Sequence, residues 1–130
     1  MGLQYTVSSE QEMLLVSASG DVRRGDMDDL RARLLADVRI VPGTRMLFDT
    51  RGAISHLSFS DLKDIANRLK GIFDRGVTTV AVVAESHLIY SLATTFGVFA
   101  RYQPVEVKPF RKIEDARAWL ESKMESAPAA

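Results

Sequence analysis

A chain of 130 residues can bury one core but is too short for two ordinary domains. Seventeen basic residues balance seventeen acidic ones, so no global field draws the chain to nucleic acid or an anionic membrane. Hydrophobic content of 46% and charged content of 26% fit an ordered globular chain, and the lack of cysteine excludes disulfides, thiolate nucleophiles and thiolate metal sites.

The first residues carry neither the basic nor the apolar segment of a secretory signal, and no apolar stretch reaches bilayer length. A cytoplasmic protein without a transmembrane segment is the expectation. Met1-Gly2-Leu3-Gln4-Tyr5-Thr6 fits a loose acylation pattern, but Leu3, Tyr5 and Val7 alternate as a strand does.

Leu3–Ser8 therefore begins the fold as a strand, and polar Ser9-Glu10-Gln11-Glu12 turns it into the denser apolar run Met13–Ser19. Gly20 and Gly25 precede Asp26, the expected N-cap of a helix whose apolar stripe is Met27, Leu30, Leu34, Leu35 and Val38. Pro42-Gly43 ends that unit, and Arg45–Thr50 reads as a buried strand. A second helix carries Phe59, Leu62, Ile65, Ala66, Leu69, Ile72 and Phe73 and stops at Asp74-Arg75-Gly76. Val77–Ala84 is nearly all small or β-branched, as suits a parallel strand covered on both faces. Ser86 caps a third helix running to about Tyr102. Pro104–Pro109 gives a short strand that its prolines place near a sheet edge. Ile113, Ala116, Trp119, Leu120 and Met124 mark a last amphipathic helix, and the tail 126–130 is expected to fray.

The order is β-β-α-β-α-β-α-β-α. It predicts one α/β domain over 1–125, with a mixed, mostly parallel sheet, one antiparallel edge strand, and helices packed on the sheet.

Three stretches then carry a family likeness. They are Arg45-Met46-Leu47-Phe48-Asp49-Thr50-Arg51-Gly52, Thr79-Val80-Ala81-Val82-Val83-Ala84, and the ending from Val105 to Leu120 with Phe110, Ile113, Ala116, Trp119 and Leu120 in an F-x-x-hydrophobic-x-x-A-x-x-W-L pattern. In this order they resemble the STAS domain of anti-sigma-factor antagonists and, more closely, small bacterial STAS/SEC14-like (SpoIIAA-like) proteins. The resemblance implies a four- or five-stranded mixed sheet and a non-enzymatic role. That role is regulation through a protein partner or a second copy, or binding of a small apolar ligand such as an acyl chain. Antagonists of this family present a phosphorylatable serine in an Asp-Ser-Ser-Gly-like turn before the second helix. Here the region reads Ile54-Ser55-His56-Leu57-Ser58-Phe59-Ser60-Asp61-Leu62; it lacks that turn, and only Ser58 and Ser60 stand nearby.

Ser58 also has a purely structural use. As N-cap it places Asp61 at the third helical position of a capping box, with Leu57 and Leu62 as a hydrophobic staple. A helix N-terminus would equally welcome phosphate on Ser58 or Ser60. Asp49, Arg51 and His56 form an expected polar rim at the carboxyl end of the third strand, where open α/β sheets collect ligands. An Asp–His pair there would suit acid–base chemistry, but no nucleophile accompanies it, and an ion pair or turn explains the residues as well. His56 and His87 are too few for a metal centre, and the glycines form no phosphate-binding loop, so neither metal nor cofactor is expected.

The third helix is the most unusual segment. From Ser86 to Ala100 it carries no charged residue. Leu88, Leu92, Phe96 and Phe99 are expected to face the sheet. Ile89, Tyr90, Ala93 and Val98 fall on other faces, with Tyr102 beyond. Burial under neighbouring helices, a homodimer face and the wall of an apolar pocket all fit such a helix. The residues expected at an interface or pocket are Ile89, Tyr90, Ala93, Phe96, Gly97 and Tyr102. Gly97 costs about 1 kcal/mol against alanine in mid-helix and marks a close approach by another group.

Overall fold

The computed structural model describes residues 2–8 and 10–125, with side chains through Lys123; the expected tail lies outside them. The described strands are β1 (Gly2–Ser8), β2 (Met13–Val22), β3 (Arg45–Ser55), β4 (Thr79–Val83) and β5 (Glu106–Phe110). The helices are α1 (Arg24–Ala36), α2 (Phe59–Arg68), α3 (Lys70–Asp74), α4 (His87–Phe99) and α5 (Ile113–Glu125). The strands lie in sequence order across one sheet. β1 pairs antiparallel with β2, and every later pair is parallel.

That order dictates the layers. Each crossover advances one strand in the same direction, and right-handed crossovers of that kind fall on one face. Accordingly α1, α2, α3 and α4 share a layer over Leu14, Val16, Met46 and Val80. α5 follows the last strand and packs alone on the other face, where Ala116 and Leu120 meet Met13, Leu47, Ala81 and Val83. β4 is thus buried from both sides, as its unbroken apolar run requires. β5 forms an edge, which is where Pro109 can sit.

Several helix boundaries differ from expectation: α1 ends at Ala36, short of the exposed Val38, and α4 ends at Phe99 rather than near Tyr102. α1 starts at Arg24, and Asp26 is its third residue: Asp26 Oδ2 accepts the Arg23 backbone N–H at 2.8 Å. An acid reaching back from that position does the work expected of an N-cap side chain. The second helix breaks at Leu69, whose carbonyl accepts from Ile72 N–H three residues on. Gly71, a weak helix former, lies against Leu35 beside the break. The apolar spacing continues through both halves, which hides the break from periodicity.

β2 and β3 run further than expected, because their register shifts at a bulge. From Ser17 to Ser19 the partners on β3 are Asp49 and Gly52, so β3 spends one extra residue. Before the bulge Met46, Phe48 and Thr50 face the four-helix layer; after it Ala53 and Ser55 do. Ile54 is thereby turned outward and is exposed.

The C-terminus of α1 is closed by a distant side chain. Arg75 donates to the carbonyls of Leu34 at 3.2 Å, Asp37 at 3.1 Å and Leu35. The Leu34 and Asp37 carbonyls also accept the Asp37 and Ile40 backbone N–H groups, whereas that of Leu35 is a helix-end acceptor served by the guanidinium, and a cation there also favours the helix dipole. Arg75→Met is expected to cost about 1–3 kcal/mol by urea denaturation, because the half-buried Leu35 carbonyl loses its donor. An unchanged midpoint would show that water replaces the guanidinium.

Candidate functional site

Between the sheet and the four-helix layer, packing leaves a cavity of about 120 Å³. Its wall includes Met46, Phe48, Val80 and Val82 from the strands, Leu30 and Leu34 from α1, Leu62 and Ile65 from α2, and Phe73 from α3. Small residues explain the space: Ala18, Ala53 and Ala93 line it where a larger side chain would close it. Thr50 and Ser55 carry the only polar side chains of the lining, and the wall presents almost no polar surface. Thr50 Oγ1 donates to the Val83 carbonyl at 2.6 Å, and Ser55 Oγ accepts from Leu57 N–H at 3.2 Å.

α4 forms one wall of the cavity. Ser86 caps it, its Oγ accepting from Ile89 N–H at 3.0 Å, and Ile89, Leu92, Ala93 and Phe96 point inward. The uncharged helix is therefore partly explained by an apolar void beneath it. Several expected residues fall elsewhere. Leu88 is exposed rather than sheet-facing, and Tyr90 lies on the helix flank under the Arg111 guanidinium, 4.4 Å from its ring centre. Tyr102 is beyond the helix end, 85% exposed, with Arg101 over its ring. Gly97 sits close against β5: a Cβ there would lie 3.2 Å from the Val107 carbonyl oxygen, a tight contact. Its neighbour is this chain's own strand, so it lines neither cavity nor outer face. What remains outside is a mild surface of Leu88, Ser91, Thr94 and Val98, all exposed.

The expected polar rim is split in two. Asp49 faces the α5 side, where both its oxygens accept from Arg51 at 3.0 and 2.9 Å. That guanidinium holds the Asp49 carboxyl below the usual carboxylate range. His56 instead meets Asp21, Nε2 to Oδ1 at 2.8 Å, across the ends of β3 and β2. β3 runs on from Asp49 to Ser55, which holds Asp49 and His56 roughly 20 Å apart along the strand, so they make no pair.

Ser58 Oγ accepts from Asp61 N–H at 3.1 Å, and Asp61 Oδ2 accepts from Ser58 N–H at 2.9 Å. The Ser58 backbone amide is the main cause of a lowered Asp61 pKa. Leu57 and Leu62 both line the cavity, so this box fixes one of its walls. Ser58→Ala is expected to cost about 1 kcal/mol in urea denaturation. A loss below about 0.3 kcal/mol would show that the backbone alone holds the turn. Ser60 lies exposed in the first turn of α2.

A second depression, on the α5 face, is bordered by Gln4, Thr6, Ser17, Asp49 and Arg117. It is a shelf of β1, β2 and β3 beside Arg117 of α5, and Leu15 and Leu47 add apolar side chains to it. Among the described residues no group of three or more His, Asp or Glu is placed to hold a metal ion, and no helix is long and apolar enough to cross a membrane. Of the residues expected at an interface or pocket, Ile89, Ala93 and Phe96 line the cavity and Tyr90, Gly97 and Tyr102 do not. Nothing in the sequence signalled the bulge, or the alanines on β2 and β3 that complete the cavity.

Comparison with known proteins agrees with this architecture. A family model described as SpoIIAA-like matches residues 13–121. An uncharacterised protein with a SpoIIAA-like fold from Shewanella loihica PV-4 superposes with a TM-score of 0.61 at 21% identity, covering 92% of this chain and 94% of its own. An anti-sigma factor antagonist from Mycobacterium paratuberculosis superposes with a TM-score of 0.55 at 15% identity, covering 92% and 95%. No curated protein matches the sequence. The family model spans most of the chain, and the chain belongs to the SpoIIAA-like family.

Proposed function

We propose that this protein is a non-enzymatic regulatory module. It binds a small apolar molecule in the cavity and a protein partner, or a second copy, on the outer face of α4. The observation that carries this is the shared helix: one side of α4 walls the cavity, and the other is exposed and uncharged. Likeness to a solved anti-sigma factor antagonist supports the regulatory half. Membership of the SpoIIAA-like family supports the non-enzymatic half.

The mechanism is linkage. A ligand in the cavity favours whichever α4 position packs best around it, and a partner reading the outer face responds only to that difference in free energy. Calorimetric titration with toluene and, separately, with dodecanoate tests the ligand half. At least one should bind, and Ala93→Leu, which fills the cavity, should abolish binding while the protein stays folded by circular dichroism. Binding of neither probe contradicts the proposal.

A further inference from the structure

Resting on that reading of the cavity, we infer its ligand class: a compact hydrocarbon group the size of a single ring, bare of polar atoms, rather than an acyl chain. Two observations carry this.

The first is volume. The cavity holds about 120 Å³. An engineered apolar cavity of about 150 Å³ takes benzene, which has six heavy atoms. A ring or a short branched group of that order fills this space. The fourteen heavy atoms of dodecanoate exceed it by about a factor of three on the same scale.

The second is the chemistry of the wall. Thr50 turns its hydroxyl to the Val83 carbonyl and Ser55 turns its own to the Leu57 amide, so nearly all the lining is carbon. No buried cation or amide donor faces inward to hold a carboxylate or carbonyl; the lining contains no charged residue at all. A polar atom carried inside would lose water and meet only the Thr50 and Ser55 hydroxyls, each already engaged with the backbone. Shape and size then set the selectivity.

Toluene, phenol and dodecanoate compared by calorimetry on the whole protein decide the matter. Phenol differs from toluene by a hydroxyl in place of a methyl, and it should bind at least about tenfold more weakly. Dodecanoate should neither bind nor displace toluene. Phenol binding as tightly as toluene overturns the polarity argument. Dodecanoate binding more tightly than toluene, in a manner lost on Ala93→Leu, overturns the size argument while leaving the apolar-ligand proposal standing. Binding of neither toluene nor dodecanoate overturns that proposal and this inference together.

Discussion

Gly76→Ala is expected to destabilise the protein by more than about 3 kcal/mol, the sum of a strained backbone and a clash that cannot relax. Gly76 has φ of +118°, a conformation that L side chains rarely adopt. An added Cβ would lie 2.3 Å from Pro42 Cα and 3.2 Å from Pro42 N, so it meets backbone rather than the end of a flexible side chain. The Pro42 segment has little freedom to withdraw, because Gly43 N–H donates to the Gly76 carbonyl at 2.9 Å. Urea denaturation followed by circular dichroism should show a collapsed midpoint or no folded baseline. A loss below about 1 kcal/mol would mean that the two turns are not locked together.

Phe73→Ala should cost about 3–5 kcal/mol, the range for removing a buried aromatic ring. Phe73 is 2% exposed and lines the cavity. Its loss enlarges a space that already exists, so surrounding side chains have little to collapse onto, and the cost should sit high in that range. Phe59→Ala is the matched control. Phe59 is 59% exposed at the start of α2, and its removal should change stability by less than about 0.5 kcal/mol. The larger void should also admit longer apolar probes. If Phe73→Ala costs under about 2 kcal/mol, the packing around the cavity is looser than described.

Much of this fold was legible because its rules are local. Val80, Ala81, Val82 and Val83 advertise a strand buried on both faces, and β4 lies between the α4 layer and α5. The Ser58–Asp61 spacing announces a capping box whose two bonds involve residues only three apart. What escaped depends on partners far along the chain. Asp49 and His56 look like one cluster in sequence, yet β3 continues to Ser55 and holds them roughly 20 Å apart, each with its own companion. Gly97 marked a close approach, but only the tertiary fold reveals that the group approaching is the Val107 carbonyl. Ala18, Ala53 and Ala93 are each unremarkable in sequence. They form a cavity only once β2, β3 and α4 face one another.

The central claim is that this space receives an apolar molecule. The most direct test is a methyl NMR titration of the protein with toluene. The account predicts that the methyls of Ile65, Ile89 and Leu92, all in the cavity wall, shift together and saturate. Those of Leu120 and Val83, on the α5 face, should stay in place. Still cavity methyls at saturating toluene, or shifts centred on Leu120 and Val83 instead, would contradict it.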